Sequence, residues 1–182
     1  FVFAGNGWER KGLREAIDFL RRVRDRGMEA VLAVVGAGDE APYRRLAERG
    51  GMGDAVHFAG ERRDIADFFR AADLMILPTL YDPFSNACLE ALACGCPVLT
   101  TRTNGVSEVI EQGKNGYILE TLDVEAICDA ASWWHMRAGE LTSPAARAAV
   151  AASVAGQTRA NELAVYGALF DELYAAKRAD DD

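Results

Sequence analysis

Two segments of the 182-residue chain hold residues whose types and spacing could do chemistry. In Gly5-Asn6-Gly7-Trp8-Glu9-Arg10-Lys11-Gly12, glycines let backbone approach a ligand closely, and Arg10 and Lys11 set two cations at the start of a helix. A helix N terminus already carries partial positive charge, so two further cations destabilise it unless an anion neutralises them. A diphosphate does that. The second segment, Pro78-Thr79-Leu80-Tyr81-Asp82-Pro83-Phe84-Ser85-Asn86-Ala87-Cys88-Leu89-Glu90, enters a helix near Ser85. Asp82 falls in its loop and Glu90 about a turn and a half into its helix. Free backbone N–H groups at Ser85, Asn86 and Ala87 would offer donors to phosphate oxygens, and the two carboxylates acceptors to hydroxyls. Cations, amide donors and hydroxyl acceptors together suit a sugar nucleotide. Each residue also has a plainer reading: solvated cations, a solvated helix Glu, and an Asp that forms a turn before Pro83. Only a fold that brings both loops to one crevice favours the chemical reading.

The elements needed to do so are legible. Short apolar runs, as expected of strands buried on both faces, occur at Phe1–Ala4, Val31–Val35, Val56–Phe58, Leu74–Leu77, Val98–Thr100 and Gly116–Leu119. Helical period fills the gaps: Leu13, Ile17, Leu20 and Val23 form a stripe that Gly27 stops, and Tyr43–Glu48, Ile65–Arg70 and Ala87–Leu92 behave similarly. This alternation predicts an α/β fold, a Rossmann-like doubly wound parallel sheet of about six strands. From about Val124 the strands cease, and two or three Ala-rich helices, divided near Gly139–Pro144 and Gly156–Thr158, pack on the sheet and extend from it. With strand order 3-2-1-4-5-6, ligands bind where the order reverses, between the loops after strands one and four. Those are the two segments above.

Residues 1–182 read as a single domain, and a strand that starts at Phe1 with no entry segment reads as cut from a longer chain. Half the residues are hydrophobic, which excludes a disordered chain. Lys plus Arg number 20 against 28 Asp plus Glu, a formal charge of −8. That excludes a broad nucleic-acid footprint, so any phosphate is held locally. No apolar run approaches bilayer length and no leader is present, so the chain reads as soluble and cytosolic. Cys88, Cys94, Cys96 and Cys128 lack a paired C-x-x-C and read as buried reduced thiols. Asp180-Asp181-Asp182 reads as a frayed, solvated end.

With Ala91-Leu92-Ala93-Cys94-Gly95-Cys96-Pro97-Val98 behind it, the Asp82-x7-Glu90 spacing resembles the E-x7-E segment of the family-4 retaining glycosyltransferases of GT-B fold. Gly5 with Arg10-Lys11-Gly12 is similar to that family's diphosphate loop. Asn104-Gly105-Val106-Ser107-Glu108-Val109-Ile110 with Asn115-Gly116 is similar to its G-G-x-x-E…NG segment. The resemblance runs from Phe1 to about Glu120 and lies within the C-terminal, donor-binding half; its loop wording is closest to the lipopolysaccharide core glucosyltransferase branch. It implies that Lys11, helped by Arg10, binds the donor diphosphate, that Glu90 accepts from the ribose hydroxyls, and that Asp82 lies beside the donor sugar. Backbone N–H groups of Phe84, Ser85 and Asn86 would hold the distal phosphate or sugar. It further implies a nucleotide-sugar donor, with UDP preferred, no metal and no cofactor, and transfer with retention to a glycan or lipid-linked acceptor. The acceptor-binding N-terminal domain would be missing from this chain, and would carry any contact of a cytoplasmic enzyme with the inner membrane. Two departures stand out: the family's Gly-Arg after strand one is Gly5-Asn6 here, and its first Glu is the shorter Asp82.

Gly36-Ala37-Gly38-Asp39-Glu40-Ala41 fits G-x-G-x-x-A with Glu61 about 20 residues on, a dinucleotide fingerprint, but it follows strand two instead of the first strand of its unit. Gly36 and Gly38 then read as a tight turn with Pro42 at a helix start. A non-catalytic nucleotide-sugar-binding module would be favoured by loss of Lys11 or Glu90; both are present. No G-x-S-x-G elbow supports a hydrolase, and His57 and His135 sit in apolar strand and helix contexts that suggest structural roles.

Overall fold

The computed structural model describes residues 1–181, without the side chains of residues 175, 176 and 178–181. The expected solvated tail Asp180-Asp181-Asp182 therefore lies outside the described side chains. Six parallel strands form one sheet in the order β3-β2-β1-β4-β5-β6. They are β1 (Val2–Ala4), β2 (Leu32–Val35), β3 (Val56–Gly60), β4 (Met75–Leu77), β5 (Val98–Thr101) and β6 (Gly116–Leu119). Every residue of β1, β4 and β5 is buried, as a sheet covered on both faces requires. Register pairs Phe3 with Val34, Val2 with Met75, and Leu77 with Thr100. Val31, expected in the second strand, is 48% exposed and stays outside it.

Among the described residues the α-helices are α1 (Leu13–Arg24), α2 (Glu40–Arg49), α3 (Ile65–Ala71), α4 (Asn86–Ala93), α5 (Val124–Leu141), α6 (Pro144–Ser153) and α7 (Arg159–Asp181). α1 buries Leu13, Ala16, Ile17, Leu20 and Val23, an i, i+3, i+4 stripe. It packs against α2 and α5 on one side of the sheet, while α3, α4 and α6 pack in sequence on the other. Each fully buried Leu, Ile or Phe of this core stabilises the fold by roughly 1.5–3 kcal/mol before entropy is counted. α2 begins earlier than expected, at Glu40, because Asp39 caps it by accepting from Ala41 N; Pro42 is thus third in the helix. The break between α5 and α6 lies at Thr142-Ser143, where Ser143 caps α6 and Pro144 opens it; Gly139 remains inside α5.

The strand order reverses between β1 and β4, and their loops close on each other there. Leu80 N–H and the Thr79 hydroxyl both donate to the carbonyl of Arg10, at 2.8 and 2.9 Å. These bonds set the cation-bearing loop against the carboxylate-bearing loop across 69 and 70 residues of chain, as the numbers 10, 79 and 80 show.

Candidate active site

Lys11 is largely buried. Its methylenes lie across Gly5, where a Cβ would stand 2.8 Å from Lys11 Cδ, and Gly5 itself has φ +138°. The positive φ requires glycine there, and a side chain would also displace the Lys11 stem. The Lys11 ammonium pairs with Asp82 Oδ2 at 3.0 Å, with side chains only 13% and 10% exposed. Arg10, half exposed, reaches the same carboxylate at 3.7 Å and donates to the Tyr81 carbonyl. Two cations thus converge on one carboxylate, and the trio keeps a formal charge of +1 at the crevice. Asp82 serves as counter-ion to both cations, a contact between distant loops that the sequence reading did not include.

The next few residues form the start of α4. Ser85 is its N-cap residue, but its side chain makes no capping bond and its buried hydroxyl lacks a hydrogen-bond partner among the described residues. An unpartnered buried hydroxyl at a helix N terminus is a free donor beside free N–H groups. One expectation needs correction: the Ser85 N–H is not free, because it donates to Asn104 Oδ1 at 3.2 Å. The Phe84 and Asn86 N–H groups form no bond among the described residues. Phe84 is 39% exposed at the rim. Glu90, fifth residue of α4, is exposed and has no ion-pair partner among the described residues. It shares no hydrogen bond with the Lys11–Asp82 cluster.

The rival dinucleotide loop is already committed elsewhere. Ala37 N–H donates to Asn6 Oδ1 at 2.8 Å, and a Cβ on Gly38 would strike the Trp8 indole at 2.5 Å. Those contacts hold the loop against the β1 loop, and Gly38 and Asp39 line a groove with Trp8. This groove, of about 970 Å³ between α1 and α2, touches the crevice through Arg10 and Leu80.

Other expectations are revised. His57 and His135 are both exposed, so neither sits in the apolar surroundings their neighbours suggested. Cys88 and Cys96 are buried, and burial pushes both thiols up to about 12. Cys94 and Cys128 are only partly buried, and Arg22 donates to Cys128 Sγ at 2.8 Å. Among the described residues, no cluster of three His, Cys, Asp or Glu is placed to hold a metal ion. Nor is any described helix long and apolar enough to cross a membrane.

The profile of the family described as Glycosyl transferases group 1 matches residues 1–135, which include both crevice loops. The chain belongs to that glycosyltransferase family. It is 35% identical over 105 residues to the N-acetyl-alpha-D-glucosaminyl L-malate synthase of Bacillus anthracis, covering 57% of this chain and 28% of that protein. Among solved structures it is similar to WaaG, a glycosyltransferase involved in lipopolysaccharide biosynthesis, with TM-score 0.72 and 27% identity over 87% of this chain and 42% of that one. The fold also matches Anabaena Alr3699/HepE solved in complex with UDP, with TM-score 0.74 and 22% identity over 96% of this chain and 48% of that one. The chain therefore spans less than half the length of each. The Rossmann-like sheet, the GT-B relationship and the likeness to lipopolysaccharide glycosyltransferases agree with the sequence reading.

Proposed function

We propose that this chain is the donor-binding half of a retaining glycosyltransferase, and that it holds a nucleoside-diphosphate sugar, with UDP as the nucleotide, at the β1/β4 crevice. The observation that carries this reading is the convergence of Lys11 and Arg10 on Asp82 beside the α4 N terminus. Cleaving a glycosyl–phosphate bond develops negative charge on the departing diphosphate. Preorganised cations and a helix N terminus stabilise that charge in place, without reorganisation during the reaction and without a metal. Lys11 and Arg10 bind the diphosphate. The unpartnered Ser85 hydroxyl, with the Phe84 and Asn86 amides, donates to the distal phosphate. Glu90, unpaired on its helix, accepts from the ribose hydroxyls. Asp82 orients Lys11 and, once the diphosphate shares that ammonium, turns an oxygen to the donor sugar. The UDP present in the fold neighbour and the lipopolysaccharide role of WaaG support a UDP-sugar donor and a glycan or lipid-linked acceptor.

The acceptor site and the residues that complete it belong to an N-terminal domain outside these 182 residues. The apolar residues of α7 support such a partner: Leu163, Tyr166, Phe170 and Tyr174 are 51–68% exposed and share a helix side. Association of that domain with the inner membrane would bring a cytoplasmic enzyme to a lipid-linked acceptor. Because the reacting atoms meet only when such a cleft closes, this half alone transfers no sugar.

A thermal-shift panel of nucleoside diphosphates and their sugars tests the donor reading, since a ligand that binds only the native state raises apparent stability. UDP and its sugars should shift the transition and free nucleosides should not. A radiolabelled-donor assay with lipid-linked acceptors tests the division of labour. Robust transfer by residues 1–182 alone would overturn it.

A further inference from the structure

Asn104 is completely buried, three residues beyond the end of β5. A buried amide must find partners for its oxygen and its two N–H groups, and here they reach three different segments. Oδ1 accepts from Ser85 N at 3.2 Å and from Val106 N at 3.3 Å. Nδ2 donates to Thr100 Oγ1 at 2.9 Å and faces Cys88 Sγ at 3.8 Å. The Thr100 hydroxyl in turn donates to the Leu77 carbonyl at 2.8 Å. One side chain thus joins β5, the start of α4 and the short 3-10 helix Gly105–Val109, and through the Thr100 hydroxyl it is linked to the end of β4.

The backbone follows the same path. Asp82 N–H donates to the Thr103 carbonyl at 3.2 Å, and Gly105 N–H to the Asp82 carbonyl at 2.9 Å. A Cβ on Gly105 would stand 1.9 Å from the Pro83 carbonyl oxygen, so the approach needs glycine. Capping of the 3-10 helix accounts for the Val106 bond alone. The bond to Ser85, nineteen residues earlier, fixes the loop that carries Asp82 and leads into α4.

We propose that Asn104 is a positioning residue for the donor site: its amide locks Ser85 and thereby sets where Asp82 meets Lys11 and where the α4 N terminus points. The inference rests on the donor-binding reading above. Asn104 touches no reacting atom in this scheme; it acts through Ser85 and Asp82.

Two variants of the 182-residue chain separate this role from a general structural one. Asn104→Ala removes both acceptor bonds. Asn104→Ser keeps a short hydroxyl able to cap the 3-10 helix at Val106 but too short to reach Ser85. Amide hydrogen exchange, thermal unfolding and UDP calorimetry are read on both. Asn104→Ser should keep Val106 protected and its melting temperature within a few degrees, lose protection at Ser85, and bind UDP roughly tenfold more weakly, as expected for one misplaced buried hydrogen-bond network. Asn104→Ala should lose protection at both amides. Unchanged Ser85 protection in Asn104→Ala, or unchanged UDP affinity in Asn104→Ser with Ser85 exposed, would overturn the inference. Failure of the unaltered chain to bind UDP would instead overturn the donor reading, while the exchange pattern would still decide whether Asn104 holds the loop.

Discussion

Lys11→Met removes the ammonium while keeping most of the apolar stem that packs over Gly5. It leaves Asp82, 10% exposed at its side chain, without its 3.0 Å partner. Breaking a buried pair from one side costs roughly 3–5 kcal/mol, because the remaining charge is uncompensated. Arg10 at 3.7 Å offsets part of that, though its half-exposed guanidinium is worth little across solvent. The net loss is then about 2–3 kcal/mol, and at roughly 2–4 °C per kcal/mol for a chain of this size the melting temperature falls by roughly 4–12 °C. Adding Asp82→Asn removes the stranded charge and should return most of that stability. UDP binding behaves differently, since the charge-assisted bonds to the diphosphate are lost in both variants: affinity falls by roughly thirtyfold to a hundredfold and is not restored. Calorimetric unfolding and UDP titration of the single and double variants read the two effects apart. Unchanged stability in Lys11→Met, or recovered UDP affinity in the double variant, would refute the reasoning.

Glu90→Gln should weaken UDP by several-fold and leave pyrophosphate binding unaltered, because the carboxylate faces ribose hydroxyls in this scheme; equal losses for both ligands in calorimetry would remove that role. The buried thiols make a pH prediction. Cys88 and Cys96 ionise near 9 when unfolded and only at about 12 when folded. Their contribution to stability is therefore intact below pH 9 and is lost as pH climbs toward 12, by up to about 1.4 kcal/mol per pH unit for each thiol. Denaturant midpoints measured from pH 8 to 11 should fall less steeply in Cys88→Ala/Cys96→Ala. In the native state a thiol reagent at pH 8 should modify Cys94 and Cys128 well before Cys88 and Cys96, and four thiols reacting at one rate would contradict the burial.

The strands were legible because a parallel sheet covered on both faces needs near-continuous apolar runs, as Val2–Ala4 and Met75–Leu77 are and as Val98-Leu99 begins. Their order, and with it the crevice between β1 and β4, is the usual one of a doubly wound sheet, which the alternation of strands and helices pointed to. Contacts between loops were not legible. Local spacing cannot show that Asp82 would meet Lys11, 71 residues away, nor that Asn104 would take the Ser85 amide. The signal for Asn104 was present as an Asn-Gly pair after a buried strand, which reads as a turn until the Pro83 carbonyl is seen against Gly105. Exposure failed for a related reason. β3 is an edge strand, so His57 faces solvent although its neighbours Val56 and Phe58 are apolar.

The most direct test of the donor site is calorimetric titration of UDP into the 182-residue chain in the presence of EDTA, beside the same titration with magnesium and with Lys11→Met. The site described here predicts saturable one-to-one binding that is indifferent to magnesium and strongly weakened in Lys11→Met. Binding that appears only with the metal, or that survives undiminished without Lys11, would contradict it.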